Sequence, residues 1–168
     1  MKNVYLIGMM GSGKTTTGRA LAKLLALPFV DLDELIVQKA GRSINEIFKT
    51  EGEGRFRELE TEILKQVSNS SDQVVATGGG LVINPENRNL LKTTGLVIYL
   101  KTETNVLWDR VKVKKDRPLL ATADPKKTFL DLFQFRSPLY VENSQMVFAT
   151  DYKTPEAVAE EIYEVCFQ

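Results

Sequence analysis

The chain has 168 residues, a length that suits one domain and is short for two. Its 22 Lys and Arg residues balance 22 Asp and Glu residues, so no net field predicts a nucleic acid or an anionic membrane as a partner. With no histidine and only Cys166, the chain excludes His-dependent triads, His-ligated metals, internal disulfides and Cys-rich zinc sites. Its first apolar run is too short for a signal peptide and no run is long enough for a membrane span, which predicts a cytoplasmic protein.

Short β-type runs alternate with helical stretches along the chain. Apolar residues at helical spacing predict a helix from about 14 to 26. Ser43 and Glu46 form a capping box at the start of a later helix, and Thr154 followed by Pro155 begins the last one. The predicted strands are 4–7, 28–30, 74–77, 96–100 and 146–149. This alternation predicts an α/β fold with a parallel sheet covered by helices on both faces.

A glycine-rich loop joins the first predicted strand to the first predicted helix. Residues 8–15 read Gly-Met-Met-Gly-Ser-Gly-Lys-Thr and match G-x-x-x-x-G-K-[ST]. In such a loop, successive backbone N–H groups point inward at phosphate oxygens. Lys14 is expected to reach the β- and γ-phosphates, and Thr15 to offer its hydroxyl to Mg²⁺. Thr16 stands where a dinucleotide fingerprint needs its third glycine, and no N-K-x-D follows, so we predict a small-molecule kinase.

Two motifs follow other predicted strands. Asp31 and Asp33 lie at the carboxyl end of the second strand, where open α/β sheets bind ligands. One carboxylate is expected to support Mg²⁺ and the other to orient an acceptor hydroxyl, although both are also suited to capping the next helix. The run 78–80 is three consecutive glycines, which indicates close approach of a ligand to the backbone, with a loose turn as the alternative.

The roles of several arginines cannot be assigned from local sequence patterns. Arg57 lies in a charged helical stretch and is typical of a surface ion pair. Pro138 predicts that its helix ends near Ser137, which would place Arg136 at the helix C-terminus, where a cation is favourable. The basic run 110–117 fits a solvated surface segment, or a mobile lid whose Arg117 stabilises a transferring phosphoryl group.

Together these motifs resemble the shikimate kinase family, in the family's order from Gly8 to about Pro155. The motifs are the phosphate loop, Asp31-x-Asp33, Gly52-Glu53-x-x-Phe56-Arg57, Gly78-Gly79-Gly80, Arg117-Pro118-Leu119-Leu120 and Arg136-x-Pro138-Leu139-Tyr140. The resemblance implies transfer of the ATP γ-phosphate, with Mg²⁺, to the 3-hydroxyl of shikimate in chorismate and aromatic amino-acid biosynthesis. It also implies a three-layer, nucleoside-monophosphate-kinase-like P-loop fold with a five-stranded parallel sheet. One domain would span 1–168, with a shikimate-binding region at about 33–61 and a mobile lid at about 112–124.

The resemblance implies roles for individual residues. Lys14, Asp33 and Arg117 would act in catalysis, with Asp33 holding the acceptor hydroxyl as a base or as an orienting group. Thr15 would be the Mg²⁺ ligand, supported by Asp31. Shikimate would be held by Asp33, Arg57, Gly78, Gly79, Gly80 and Arg136, the two arginines gripping its carboxylate. ATP would be held by Gly11, Ser12, Gly13, Lys14, Thr15, Thr16, Arg110, Arg117 and Lys153.

One position departs from the family pattern. Members often carry Arg where this chain has Lys153, and a lysine cannot stack on adenine as a guanidinium plane does. The phosphate contacts are therefore predicted more firmly than the adenine contacts.

Two alternatives stay open at this point. A gluconate-type sugar-acid kinase would share the fold, but the ordered set of motifs favours shikimate. A non-catalytic nucleotide-binding module would be expected to have lost Lys14, Thr15, Asp33 or Arg117, and all four are present. Small size and zero net charge predict a monomer acting on a small molecule.

Overall fold

The computed structural model describes residues 1–168 and contains five strands and seven α-helices. The strands are β1 (Asn3–Ile7), β2 (Phe29–Asp31), β3 (Val74–Ala76), β4 (Gly95–Lys101) and β5 (Met146–Ala149). The helices are α1 (Lys14–Leu25), α2 (Leu32–Ala40), α3 (Ile44–Ser68), α4 (Pro85–Thr94), α5 (Thr104–Val111), α6 (Pro125–Glu142) and α7 (Pro155–Phe167). Short 3₁₀ turns lie at Leu81–Ile83 and Pro118–Leu120.

All strand pairs are parallel, in the order β2-β3-β1-β4-β5, which confirms the predicted five-stranded parallel sheet. Leu6 of β1 lies opposite Ala76 of β3, and Ala76 lies opposite Asp31 of β2. These three strands therefore end side by side at one edge of the sheet. Because each strand is followed by one of the predicted motifs, the strand order places the phosphate loop, the three glycines and the two aspartates next to one another.

Successive side chains of β1 point to opposite faces of the sheet, and a hydrophobic core lies on each face. Tyr5 and Ile7 join a cluster of 23 buried apolar residues that includes side chains of α3 to α6, whereas Val4 and Leu6 join a cluster of 11 with α1 and α7. The three-layer prediction is confirmed. The larger cluster includes side chains of α3 and α6, so the helices that carry Arg57 and Arg136 rest on the larger of the two cores.

The helix starts follow the predicted capping chemistry. Ser43 and Glu46 form the capping box of α3, and the Thr154 hydroxyl accepts a hydrogen bond from the Ala157 N–H at the start of α7. Gly52 interrupts α3 with φ of 83°, a left-handed conformation that suits glycine. The helix axis is therefore kinked at Gly52. None of the helices combines the length and the apolarity needed to cross a bilayer.

The expectation that Pro138 ends its helix is wrong, since α6 continues through it to Glu142. A proline inside a helix removes one backbone hydrogen bond and typically costs about 3 kcal/mol. Phe129, Arg136 and Tyr140 recur at helical spacing and are all buried, so tertiary packing on one face holds the helix across the break. Arg136 therefore lies inside α6, and the charge of a helix C-terminus does not account for it.

Candidate active site

Two adjoining cavities lie at the carboxyl edge of the sheet. The larger one, about 540 Å³, is built on the phosphate loop and the start of α1. The smaller one, about 90 Å³, lies between α3, α6 and the triple-glycine segment. Both are lined by Met10, Asp33, Gly78, Gly79 and Arg117. Ligands in the two cavities would therefore meet at these shared residues, an arrangement suited to group transfer between two substrates.

The phosphate loop forms the floor of the larger cavity. Gly11 and Gly13 have φ of 83° and 88°, left-handed conformations that let the loop curl at the N-terminus of α1. The Lys14 ammonium donates hydrogen bonds to the carbonyls of Gly8 at 2.7 Å and Met9 at 3.0 Å. Burial lowers the pKa of Lys14 to about 8. The loop thus concentrates a cation and inward-facing donors where phosphate groups would bind.

Thr15 and Asp31 form an oxygen pair beside this loop. The Thr15 hydroxyl donates a hydrogen bond to Asp31 Oδ2 at 2.7 Å. The other oxygen, Asp31 Oδ1, accepts from the backbone N–H groups of Asp33 and Glu34 and so caps α2. The capping role of Asp31 is therefore observed, and its support of Mg²⁺ stays a prediction. Hydroxyl and carboxylate oxygens are the ligands that Mg²⁺ prefers alongside phosphate oxygens, so this pair fits the metal that the family implies.

Asp33 differs from Asp31 because its side chain does not cap the helix. Its Oδ1 is buried without a hydrogen-bond partner, next to Gly78 at the junction of the two cavities. Burial raises the pKa of Asp33, and the negative charge of Asp31 raises it further. A buried acceptor at this junction is suited to receive a hydrogen bond from an acceptor hydroxyl.

Two arginines from different helices converge on the smaller cavity. Arg57 on α3 donates to Glu60 at 2.6 Å and to Glu53 at 3.2 Å, so it does form the ion pairs expected of it. Arg136 on α6 is 1% exposed, and its Nε has no partner. Burial lowers the pKa of Arg136, and the positive charge of Arg57 lowers it further. Two neighbouring guanidinium groups of this kind favour a planar carboxylate as ligand.

The triple-glycine segment is packed against these charged groups. A Cβ atom at any of the three positions would press on a charged side chain of the smaller cavity. The pairs are Gly78 with Glu60, Gly79 with Arg136 and Gly80 with Arg57. The three glycines therefore leave room for the charged side chains of the site, and a larger residue would displace their ends.

Three further basic residues of the larger cavity come from separate segments of the chain. Arg110 on α5 donates to the Gly11 carbonyl at 2.8 Å, and Lys153 pairs with Glu161 at 2.7 Å. Arg117 is half-buried where the cavities join, and its Nε has no partner. Of the basic run, Arg110 and Arg117 face this cavity together with Lys114. Arg110 and Arg117 are partly buried beside the cavity, whereas Lys114 is exposed, as a solvated surface segment predicts.

The structure gathers the predicted site residues into the two cavities. The larger is lined by all those predicted for the nucleotide: Gly11, Ser12, Gly13, Lys14, Thr15, Thr16, Arg110, Arg117 and Lys153. The smaller is lined by all those predicted for the acceptor: Asp33, Arg57, Gly78, Gly79, Gly80 and Arg136. Their individual roles remain predictions.

Some lining residues were not predicted. Glu60 is buried against Arg57, and its position three residues further along the helix could have indicated that pair. Phe48, Phe56 and Leu119 make an apolar wall. Phe56 and Leu119 lie within the quoted motifs but had no predicted role, and Phe48 had no pattern of its own. Phe48 and Phe56 meet with ring centroids 4.9 Å apart across the Gly52 break.

The burial of Glu60 predicts a pH-dependent stability. Desolvation raises the pKa of Glu60 from an ordinary 4.5 to about 7, against the opposing charge of Arg57. The folded chain thus binds this proton more tightly than the unfolded chain, and the resulting stabilisation is lost as pH rises from 4.5 to about 7. Glu60→Gln cannot ionise. Between about pH 5 and pH 8, the native free energy of unfolding should fall by about 2 kcal/mol more than that of Glu60→Gln.

Urea unfolding followed by circular dichroism measures this difference. Glu160→Gln, which changes an exposed glutamate of α7, is the matched control and should follow the native pH dependence. The same pH dependence in the native chain and in Glu60→Gln would show that Glu60 titrates normally.

Comparison with known proteins identifies the family. The family model for shikimate kinase matches residues 10–167. The chain is 44% identical over 162 residues to the shikimate kinase of Thermodesulfovibrio yellowstonii, covering 96% of this chain and 93% of that protein. It is 45% identical over 167 residues to the shikimate kinase of Legionella pneumophila, covering 99% and 95%. The structure of the Acinetobacter baumannii shikimate kinase in complex with shikimate matches with a TM-score of 0.95 at 39% identity, covering 98% of this chain and 92% of that one.

These similarities confirm the resemblance carried by the ordered motifs and the P-loop, nucleoside-monophosphate-kinase-like fold. Enzymes of this kind use ATP with Mg²⁺. This agrees with the phosphate loop around Lys14 and with the Thr15–Asp31 oxygen pair. The chain belongs to the shikimate kinase family, whose members are ATP-dependent kinases that phosphorylate shikimate.

Proposed function

We propose that this chain transfers the γ-phosphate of ATP to the 3-hydroxyl of shikimate, giving shikimate 3-phosphate and ADP. The observation that carries this proposal is the junction of the two cavities, where Asp33 and Arg117 line both. The Acinetobacter baumannii relative, solved in complex with shikimate, supports the choice of acceptor.

The larger cavity holds the nucleotide in this proposal. Backbone N–H groups of the phosphate loop and the Lys14 ammonium bind the β- and γ-phosphates. Thr15, with Asp31 behind it, would hold Mg²⁺, which when bound neutralises charge on the phosphates. Arg110 and Lys153 also line this cavity and would contact the adenosine.

The smaller cavity holds the acceptor. Shikimate carries one carboxylate and three hydroxyls, and the carboxylate matches the guanidinium groups of Arg57 and Arg136. The 2.6 Å ion pair with Glu60 fixes the position of the Arg57 guanidinium. With the carboxylate gripped at one end, a hydroxyl at the other end is directed toward Asp33 at the junction.

Transfer then takes place across the junction. The acceptor hydroxyl oxygen bonds to the γ-phosphorus, and the bond from that phosphorus to the oxygen bridging it to the β-phosphate breaks. The hydroxyl proton goes to the Asp33 carboxylate, and ADP leaves with the bridging oxygen. Lys14 and Arg117 stabilise the negative charge that builds up on the transferring oxygens.

The proposal also covers the lid, the domain organisation, the oligomeric state and the location of the protein. Residues 112–124 act as a lid that excludes water, since Arg117 within them reaches both cavities. Residues 33–61 form the shikimate-binding region within a single domain. A monomer suffices, because one chain lines both cavities. The use of ATP and the single free cysteine, Cys166, favour the cytoplasm, with no nucleic acid or membrane involved.

A coupled assay for ADP release with ATP and Mg²⁺ tests the proposal by comparing shikimate, gluconate and no acceptor. We expect turnover with shikimate alone. Turnover with gluconate would keep the phosphate loop and discard the acceptor assignments. ATP binding without acceptor-dependent turnover would instead identify a nucleotide-binding module.

A further inference from the structure

The Tyr140 hydroxyl is buried between two loops of the site, and the proposed function does not use it. It donates a hydrogen bond to the Gly79 carbonyl at 2.5 Å and lies 3.7 Å from the sulfur of Met9 in the phosphate loop. The ring is fully buried and stacks on Tyr99, with centroids 5.2 Å apart and planes at 29°. This one side chain therefore joins α6 to both the triple-glycine segment and the phosphate loop.

Gly79 is the point where Arg136 meets the phosphate loop. A Cβ atom on Gly79 would lie 3.3 Å from Arg136 Nη1 and 3.4 Å from the backbone nitrogen of Met10. The Gly79 carbonyl is hydrogen-bonded by Tyr140 and by no backbone N–H. A change in the orientation of this peptide would therefore move the surface against which the Arg136 guanidinium lies.

Pro138 makes the hydrogen bond from Tyr140 to the Gly79 carbonyl more important. It stands between Arg136 and Tyr140 and has no N–H, so the carbonyl of Gln134 loses its usual helical partner. The helix is therefore short of one backbone hydrogen bond beside Arg136. Tyr140 follows Arg136 by four residues and is also buried, so the bond from its hydroxyl to the glycine segment ties this part of α6 to the site.

We propose that Tyr140 is a positioning residue for acceptor binding, whose hydroxyl fixes the Gly79 peptide and thereby holds the Arg136 guanidinium in the orientation that grips the acceptor carboxylate. The inference rests on the proposed function, because it assigns Arg136 to the acceptor. Tyr140 itself does not touch the reacting atoms.

Tyr140→Phe removes the hydroxyl and keeps the ring and its stacking. We expect the KM for shikimate to rise about five-fold or more, while the KM for ATP and kcat change by less than about two-fold. Tyr5→Phe is the matched control, since it removes a buried hydroxyl that contacts Asn3 and Thr94 away from both cavities, and it should keep the native KM for shikimate. Calorimetric titration of shikimate into both variants measures affinity independently of turnover.

The unmodified enzyme is assayed first, because a lack of shikimate-dependent turnover there is a failure of the proposed function. With that turnover present, three results would overturn the positioning role. They are an unchanged KM and affinity for shikimate in Tyr140→Phe, an equal loss in Tyr5→Phe, and an equal rise in the KM for ATP. The last two would indicate a general disturbance of packing.

Discussion

Replacing Asp33 by asparagine is expected to lower kcat by a factor on the order of 100 or more, the usual effect of losing a general base. The Asp33 Oδ1 is buried, has no partner and lies where the two cavities meet. An amide of the same shape can still accept a hydrogen bond from the acceptor hydroxyl, but it cannot take up its proton. The KM for ATP should stay within about two-fold of the native value, because the phosphate loop is unchanged.

Steady-state assays with each substrate varied in turn measure this effect. Burial already disfavours the charged form of Asp33, so the neutral Asp33→Asn variant should fold as stably as the native chain. Asp131→Asn, at an exposed position of α6, controls for the loss of a carboxylate and should keep full turnover. A native kcat in Asp33→Asn would show that this carboxylate is not needed for the chemistry.

Replacing Arg136 by methionine should raise the KM for shikimate by roughly 100-fold, equivalent to about 3 kcal/mol, and leave the KM for ATP nearly unchanged. The guanidinium is buried, and its Nε has no partner within the chain. Methionine keeps much of the side-chain volume and removes the charge, so the loss reports on the carboxylate contact. Arg57→Ala should act in the same direction, since Arg57 faces the same cavity.

Arg19→Met provides the control for loss of an arginine. Arg19 on α1 is exposed, pairs with Glu34 at 2.8 Å and lines neither cavity. Its loss should change neither KM, since exposed ion pairs contribute little. Native shikimate kinetics in both Arg136→Met and Arg57→Ala would refute the assignment of a carboxylate clamp.

The nucleotide side of the site was the more predictable from sequence. Residues 8–15 are contiguous, and their loop depends on local backbone freedom between a strand and a helix. Both Gly11 and Gly13 adopt the positive φ that such a loop requires. Capping at Ser43 and Thr154 was equally local, and the structure has both caps.

The acceptor side was harder to predict because it depends on contacts between residues that are far apart in the sequence. Pro138 predicted a helix end from backbone chemistry alone, yet the buried side chains of Arg136 and Tyr140 hold α6 through it. The glycines at 78–80 were expected to admit a ligand, and the structure packs the site's own charged groups against them. Glu60 looked like one more charge on a polar helix, whereas its burial beside Arg57 depends on how α3 meets the sheet.

Local patterns in the sequence were enough to predict the alternation of strands and helices, the phosphate loop and, through the order of the motifs, the family. Which charges are buried, and which of them meet, became clear from the folded chain alone. Arg57 and Arg136 are 79 positions apart by their numbers, and they converge because α3 and α6 pack on the same face of the sheet. Local patterns depend on backbone geometry and hydrophobic periodicity, whereas pairing and desolvation of distant charges depend on contacts that exist only once the chain has folded.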